Sequence, residues 1–276
     1  MALSVVDLYR TILPKTNCRD CGFPTCLAFA SMVVSEKHPL KDCLHIPPDI
    51  LARCEEELAR QYAEGKWLKK DLADEALKWA RSRAASMAVS DLPERIGGDL
   101  VQDGQVTGLR LPYFSDYLDI VGTTVRRSDG TELTRLEQVF ILNHLAQGGR
   151  AMPTGRWKGF VEFPNTVSKL VSMKAQVEEP LVKCFTGKRE VLQERAMQLG
   201  AIPLAMDEGS ADVAVLFSPL PRVPVALLFW DAPPGEGFQA QVKLMFDETI
   251  LEHLDIESIV FLSERIRLML CDGVSC

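Results

Sequence analysis

Four cysteines, Cys18, Cys21, Cys26 and Cys43, stand in a Cys-x2-Cys-x4-Cys-x16-Cys array and make up half of the eight cysteines in the chain. Thiolates are soft ligands. A quartet with three members on a tight loop and a fourth returning from beyond a helix is the donor set of a cubane 4Fe-4S cluster. Zinc also takes four thiolates in tetrahedral geometry and is the competing reading. Structural zinc sites, however, pair two short Cys-x2-Cys knuckles, whereas here three ligands cluster and one stands alone. Phe23, Leu27 and Phe29 interleave with the cysteines and would shield a group wider than a single ion. The iron-sulfur reading is therefore preferred.

The neighbouring residues supply elements that would position these thiols. Ser4 with Asp7 three residues on is a helix-capping pattern, and Val5, Leu8 and Ile12 share a face of the short helix it starts, which Leu13-Pro14 ends. A loop over 15–22 then delivers Cys18 and Cys21, with Gly22 free to turn the backbone in toward a bulky ligand. Pro24 suits the start of a second helix running to about Ser35. Cys26 then projects from its first turn, where free N–H groups and the helix dipole favour thiolates. Cys43 follows a Lys-His-Pro loop, and Pro47-Pro48 opens a third helix to about Ala63. Cys54 within that helix reads as an ordinary packed thiol.

A charged helix over 66–86, with an apolar stripe of Trp67, Leu68, Leu72, Ala76 and Trp79, reads as a connector. Beyond it the texture turns to β. Short strands are expected over 107–111, 117–121 and 123–127. Thr134-x-x-Glu137 caps a buried helix over 135–146, and helices are expected over 166–182 and 189–199. Strands are expected over 212–217, 225–230 and 239–246, with the proline-rich 218–224 as an extended loop. Asp247 and Asp255 read as caps of two closing helices. The fold class is thus α+β: a small all-helical cluster domain (1–62), a helical connector (63–95) and a larger mixed α+β domain (96–276).

At the cysteine array, Leu13-Pro-x-Thr-Asn-Cys-x2-Cys-Gly-x-Pro-Thr-Cys-x-Ala-Phe-Ala with a later cysteine resembles the N-terminal 4Fe-4S module of the large subunit of the corrinoid/iron-sulfur protein. Related modules occur in ferredoxin-like subunits of membrane electron transport. The resemblance covers about residues 10–45 and implies Cys18, Cys21, Cys26 and Cys43 as ligands. Two loop positions depart from it. Arg19-Asp20 stands where those modules usually carry a glycine directly after the first cysteine, and Leu44 where a proline commonly follows the fourth. The chain is too short for the barrel and cobalamin domains that follow in that larger protein, and the base-off corrinoid signature is absent around His144. From about residue 100 onward the chain resembles an uncharacterised domain family attached to such cluster modules in anaerobes. These resemblances imply single-electron transfer in corrinoid-linked metabolism, with a redox partner that is itself a corrinoid protein.

In the second domain the loop over 148–159 holds Arg150, Arg156, Trp157 and Lys158 among four glycines. Three cations with free backbone N–H groups and a stacking indole suit an anionic ligand, a corrinoid or other tetrapyrrole among them, and a solvated surface loop is the alternative. His144 reads as a core histidine, His253 as a helix-end residue, and His38 and His45 as flanks of the cluster loop. Cys184 reads as structural. Cys271 and Cys276 form a Cys-x4-Cys tail of undetermined role. No Ser-His-Asp order, paired carboxylates, Walker loop or Rossmann fingerprint is present, so electron transfer or cofactor binding is expected in preference to a stand-alone enzyme. A hydrophobic fraction of 47% is enough for a packed core, and a formal net charge of −7 argues against general nucleic-acid or anionic-membrane affinity. With no signal peptide and no long apolar run, a cytoplasmic protein without membrane insertion is expected, in a compartment where thiols stay reduced.

Overall fold

A computed structural model of the chain describes residues 3–64, 72–205, 211–232 and 238–274. Trp67, Leu68 and Cys276 lie outside the described residues. The chain divides into two compact units, Met1–Asp71 and Leu72–Cys276. The first is a helical unit and the second mixes helices with two antiparallel sheets.

Among its described residues the first unit is all helix and loop. Ser4 and Asp7 close their reciprocal capping box over α1 (Val5–Asp7), which runs on into one π turn, Leu8–Ile12. Thr25 caps α2 (Cys26–Glu36), accepting from the Ala28 N–H at 3.1 Å, and α2 ends at Lys37 in the left-handed region, φ 56°. A single 3-10 turn, Leu40–Asp42, precedes Cys43, and α3 (Pro48–Ala63) follows with proline at its start. The core is small: Phe29, Ala30, Val33 and Val34 of α2 pack with Leu8, Leu13, Leu40, Ile46 and Leu58. The Tyr62 hydroxyl donates to the Val33 carbonyl and ties α3 to α2.

The second unit opens with α4 (Leu72–Ala84), whose Leu77, Ala80 and Ala84 join its core, and α5 (Leu92–Ile96). An antiparallel meander follows: β1 (Asp99–Asp103), β2 (Val106–Tyr113), β3 (Asp116–Val121) and β4 (Thr124–Arg127). Alternation sets its two faces. Leu109, Leu111 and Tyr113 point inward, while Arg110 faces out and pairs across the register with Asp119 at 2.8 Å. Helix α6 (Arg135–Gln147) is buried on almost every side, as its apolar composition predicts, and Thr134 and Glu137 form its capping box.

The stretch expected as one helix over 166–182 is instead a 3-10 turn, α7 (Leu170–Met173), a π turn and α8 (Glu179–Phe185) in series. Pro180 explains the re-start. It lacks the N–H that an uninterrupted helix would use and sits in the first turn of α8. Helix α9 (Arg189–Gln198) leads into a second antiparallel sheet of order β5-β9-β8-β7-β6, built from β5 (Trp157–Gly159), β6 (Ile202–Pro203), β7 (Val213–Leu220), β8 (Val223–Trp230) and β9 (Gln241–Asp247). The expected loop over 218–224 is a correction: β7 and β8 continue through it as a tight hairpin turning at Pro221-Arg222. Pro219 cannot donate to a ladder, and the register breaks between Phe217 and Leu220 so that it need not. The closing helix α10 (Ile256–Cys271) is capped by Asp255, whereas Asp247 ends β9 and precedes only a 3-10 turn, Ile250–Glu252.

Candidate metal centre

Cys18, Cys21, Cys26 and Cys43 all line one small hollow in the first unit, walled by Leu13, Phe23, Phe29 and Leu44. Their accessibility is graded. Cys26 and Cys43 are buried, Cys21 is half-buried and Cys18 is exposed, so the hollow has a dry back and a solvent-facing corner. Cys26 is the first residue of α2. Its backbone N–H donates to Asn17 Oδ1 at 2.8 Å, which pins the loop carrying Cys18 and Cys21 to the helix start.

The loop conformation is unusual for its residues. Lys15, Asn17 and Arg19 take positive φ of 59°, 50° and 70°, and Gly22 takes 83°. Gly22 has nothing within 4 Å of the position a Cβ would occupy, so dihedral angle, not space, requires glycine there. The turn closes with the Gly22 N–H donating to the Arg19 carbonyl at 2.8 Å.

The thiols influence one another. The Cys43 thiol is pushed up first by burial, is drawn down by the His45 backbone N–H, and is pushed up again by Cys21, Cys26 and Cys18. A buried thiol such as Cys43 holds its thiolate form when a cationic metal centre offsets the charge. A donor set of four sulfurs with an apolar wall fits a sulfide-rich cluster. Two histidine–aspartate pairs flank the site: His38 to Asp42 and His45 to Asp20, each at 2.9 Å. The sequence marked Asp20 only as part of a departure from the resembled loop pattern and did not mark Asn17. For Asn17, an asparagine at a loop position with left-handed backbone was the available signal.

The remaining candidates lie elsewhere. Cys54 is buried in α3 and does not line the hollow, and burial pushes its thiol up. Cys184 is fully buried in α8, and burial also pushes up the half-buried Cys271 thiol. In the second unit Arg156 and Lys158 both reach the Glu248 carboxylate, Lys158 at 3.9 Å, and Arg150 pairs with Glu94 at 3.1 Å. Trp157 sits half-buried in β5 opposite Asp247. The cations of this loop are thus matched by carboxylates within the fold. Asp247 organises it: Oδ2 accepts from the Thr154 and Gly155 N–H groups at 2.9 and 2.7 Å, and Oδ1 from Thr249.

His144 is fully buried in α6. Its Nδ1 donates to the His253 carbonyl at 3.1 Å, and its Nε2 is buried with no partner among the described residues. His253 in turn donates from Nε2 to the Ala151 carbonyl at 2.9 Å. Burial pushes His144 down to about 4.

Residues 88–269, more than half of the chain, match the family model described as "Domain of unknown function (DUF3786)". The chain belongs to this family. Residues 13–45 of this DUF3786 protein also match the model described as "Putative Fe-S cluster", a span that contains all four cysteines of the hollow. Among curated proteins the chain is similar to the gamma subunit 2 of the acetyl-CoA decarbonylase/synthase complex of Methanosarcina mazei, 38% identical over 96 residues, which is 35% of this chain and 17% of that one. It is also similar to the gamma subunit of that complex from Methanocaldococcus jannaschii, 42% identical over 41 residues (15% and 8%). A third relative is the corrinoid/iron-sulfur protein large subunit of Moorella thermoacetica, 46% identical over 46 residues (17% and 10%). The chain spans less than a fifth of the length of these relatives. No solved structure matches it. Among the described residues no helix is long and apolar enough to cross a membrane.

Proposed function

We propose that the first unit holds a 4Fe-4S cluster on Cys18, Cys21, Cys26 and Cys43, and that the protein passes single electrons to a partner protein in corrinoid-linked anaerobic metabolism. The observation that carries this reading is the convergence of four thiols on one apolar-walled hollow. The match of residues 13–45 to an iron-sulfur family model supports the cofactor, and the names of the three relatives support the metabolic setting. A cubane cluster supplies a reversible one-electron carrier when bound.

The chain's own residues do the rest. Cys26 presents its sulfur at a helix start, where backbone N–H groups and the helix dipole favour negative charge. Phe23, Phe29 and Leu13 keep water from the back of the hollow, which protects a cluster from hydrolysis, while the exposed Cys18 side leaves one edge near solvent for exchange with a partner.

Anaerobic reconstitution of the full chain with iron and sulfide tests the reading. The expected result is about four irons per chain, with an EPR signal on reduction. Serine at any one of the four cysteines abolishes it, while Cys54→Ser leaves iron content unchanged. Stoichiometric zinc without reducible iron, or equal iron loss on Cys54→Ser, refutes it.

A further inference from the structure

We propose that the Asp20–His45 pair is a clasp that fastens the first-ligand loop to the fourth-ligand segment, and that retention of the cluster depends on it. This rests on the cluster reading above. Two of the four thiols have rigid carriers. Cys26 begins α2, and Cys43 follows a 3-10 turn to which its own N–H is tied by a 3.2 Å bond to the Leu40 carbonyl. Cys18 and Cys21 have no such carrier; they ride on a loop with three non-glycine residues at positive φ.

Among the described residues two side-chain hydrogen bonds leave that loop. One is Asn17 to the Cys26 N–H, which secures it to the third ligand. The other is Asp20 Oδ2 accepting from His45 Nε2 at 2.9 Å, and it alone reaches the segment that carries Cys43. Cys18 Sγ, an Asp20 carboxylate oxygen and a His45 ring nitrogen all lie within 4.8 Å of one another. His45 thus touches both ends of the site, with its backbone N–H on Cys43 and its ring on Asp20, whose carboxylate also accepts from the Cys18 thiol.

The side chains of His45 and Asp20 are 44% and 50% exposed, so neither supports the core. A surface pair of this kind adds little to folding. Its effect lies in where it stands, at the open corner of the hollow, beside the ligand most accessible to competing water or chelator. A thiolate that leaves the metal is held within rebinding distance while the clasp is closed, and swings away with its loop when the clasp is open. Both of this chain's departures from the resembled loop pattern, Arg19-Asp20 and Leu44, adjoin the two halves of the clasp. Partners of metal ligands at this remove typically change metal retention by about 10–100-fold.

The test follows cluster loss from reconstituted full-length protein challenged anaerobically with an iron chelator, read by visible absorption, with EPR of the reduced cluster alongside. Asp20→Ala and His45→Ala each accelerate loss about 10-fold, the double variant is no faster than the faster single, and the exchanged pair, Asp20→His with His45→Asp, returns the rate toward wild type. The EPR signal keeps its shape throughout, because the four ligands are unchanged. Single variants that lose the cluster at the wild-type rate overturn the clasp, as does a double variant whose effect is the product of the singles. A wild-type chain that assembles no cluster overturns the function proposed above instead.

Discussion

Arg19 stands directly after the first cysteine of the array with φ 70°. A side chain in this region costs roughly 1–2 kcal/mol per residue, because Cβ approaches the following carbonyl. Glycine avoids that cost and gives back part of the gain through the greater freedom of the unfolded chain. Arg19→Gly is therefore expected to raise the stability of the metal-free chain by about 0.5–1 kcal/mol, read as a higher denaturant midpoint with unchanged slope; an unchanged or lower midpoint contradicts the strain argument. That Cys18, Cys21, Cys26 and Cys43 belong together was legible in sequence because their spacing is covalent information, and all four line one hollow. The clasp was not, because Asp20 and His45 are 25 residues apart and meet only after α2 has folded back across the site. His45 was visible as a flanking histidine and Asp20 as a loop departure, but their pairing was not. The grading of exposure from Cys43 to Cys18 likewise depends on which side chains fill the back of the hollow, and spacing does not encode that.

At the scale of elements, capping patterns identified α6 and α10, where Thr134 and Asp255 each accept from a backbone N–H of the first turn, whereas α2 was read from Pro24, which stands just before the Thr25 cap and outside the helix. Composition misled at the β7–β8 hairpin, since three prolines in seven residues suggest a loop until a register break and a two-residue turn absorb them. It misled again at Asp247. The residue was readable as a helix cap because it precedes Thr249 and an apolar run, but nothing local announces that a loop about ninety residues upstream folds onto its other oxygen. Asp247 is only 1% exposed and satisfies three backbone N–H groups and a hydroxyl. Burial alone would raise its pKa, and the bonds from Thr249, Thr154 and Gly155 outweigh it, so the carboxyl sits below its ordinary value. The stability it contributes is thus present above the unfolded value near 3.8 and is lost as pH falls through the lower, folded value. Asp247→Ala leaves those donors without their acceptor and is expected to cost about 3 kcal/mol at neutral pH. Asp247→Asn, which keeps one acceptor oxygen, is expected to cost less. A loss below about 1 kcal/mol for the alanine variant in urea unfolding contradicts the assigned role.

Across the whole molecule the buried apolar side chains form two clusters with no member in common, one spanning Leu8 to Leu58 and the other Leu77 to Leu270. The buried His144–His253 pair lies in the second. The folded second unit holds His144 neutral. Burial pushes it down first, the bond to the His253 carbonyl raises it in part, and His253, Arg95 and Arg222 lower it further, to about 4. An unfolded chain binds that proton near the ordinary value of 6.5. Stability from the neutral ring is therefore complete above that value and drains away as pH falls toward 4, because the unfolded state takes up a proton that the folded state refuses. A shift of this size corresponds to about 3 kcal/mol, and His253, also pushed down by burial, acts in the same direction. Urea unfolding of the fragment 72–276 at a series of pH values is expected to show a cooperative transition at neutral pH that weakens by about 2–3 kcal/mol by pH ~4.5. His144→Asn keeps a donor for the His253 carbonyl but has no proton to gain. Its transition starts lower, by about 1–2 kcal/mol for the lost packing, and declines less steeply, so the two curves converge toward acid. Parallel curves would place the acid sensitivity outside the histidine pair, and a fragment with no cooperative transition would mean that the second core does not stand alone.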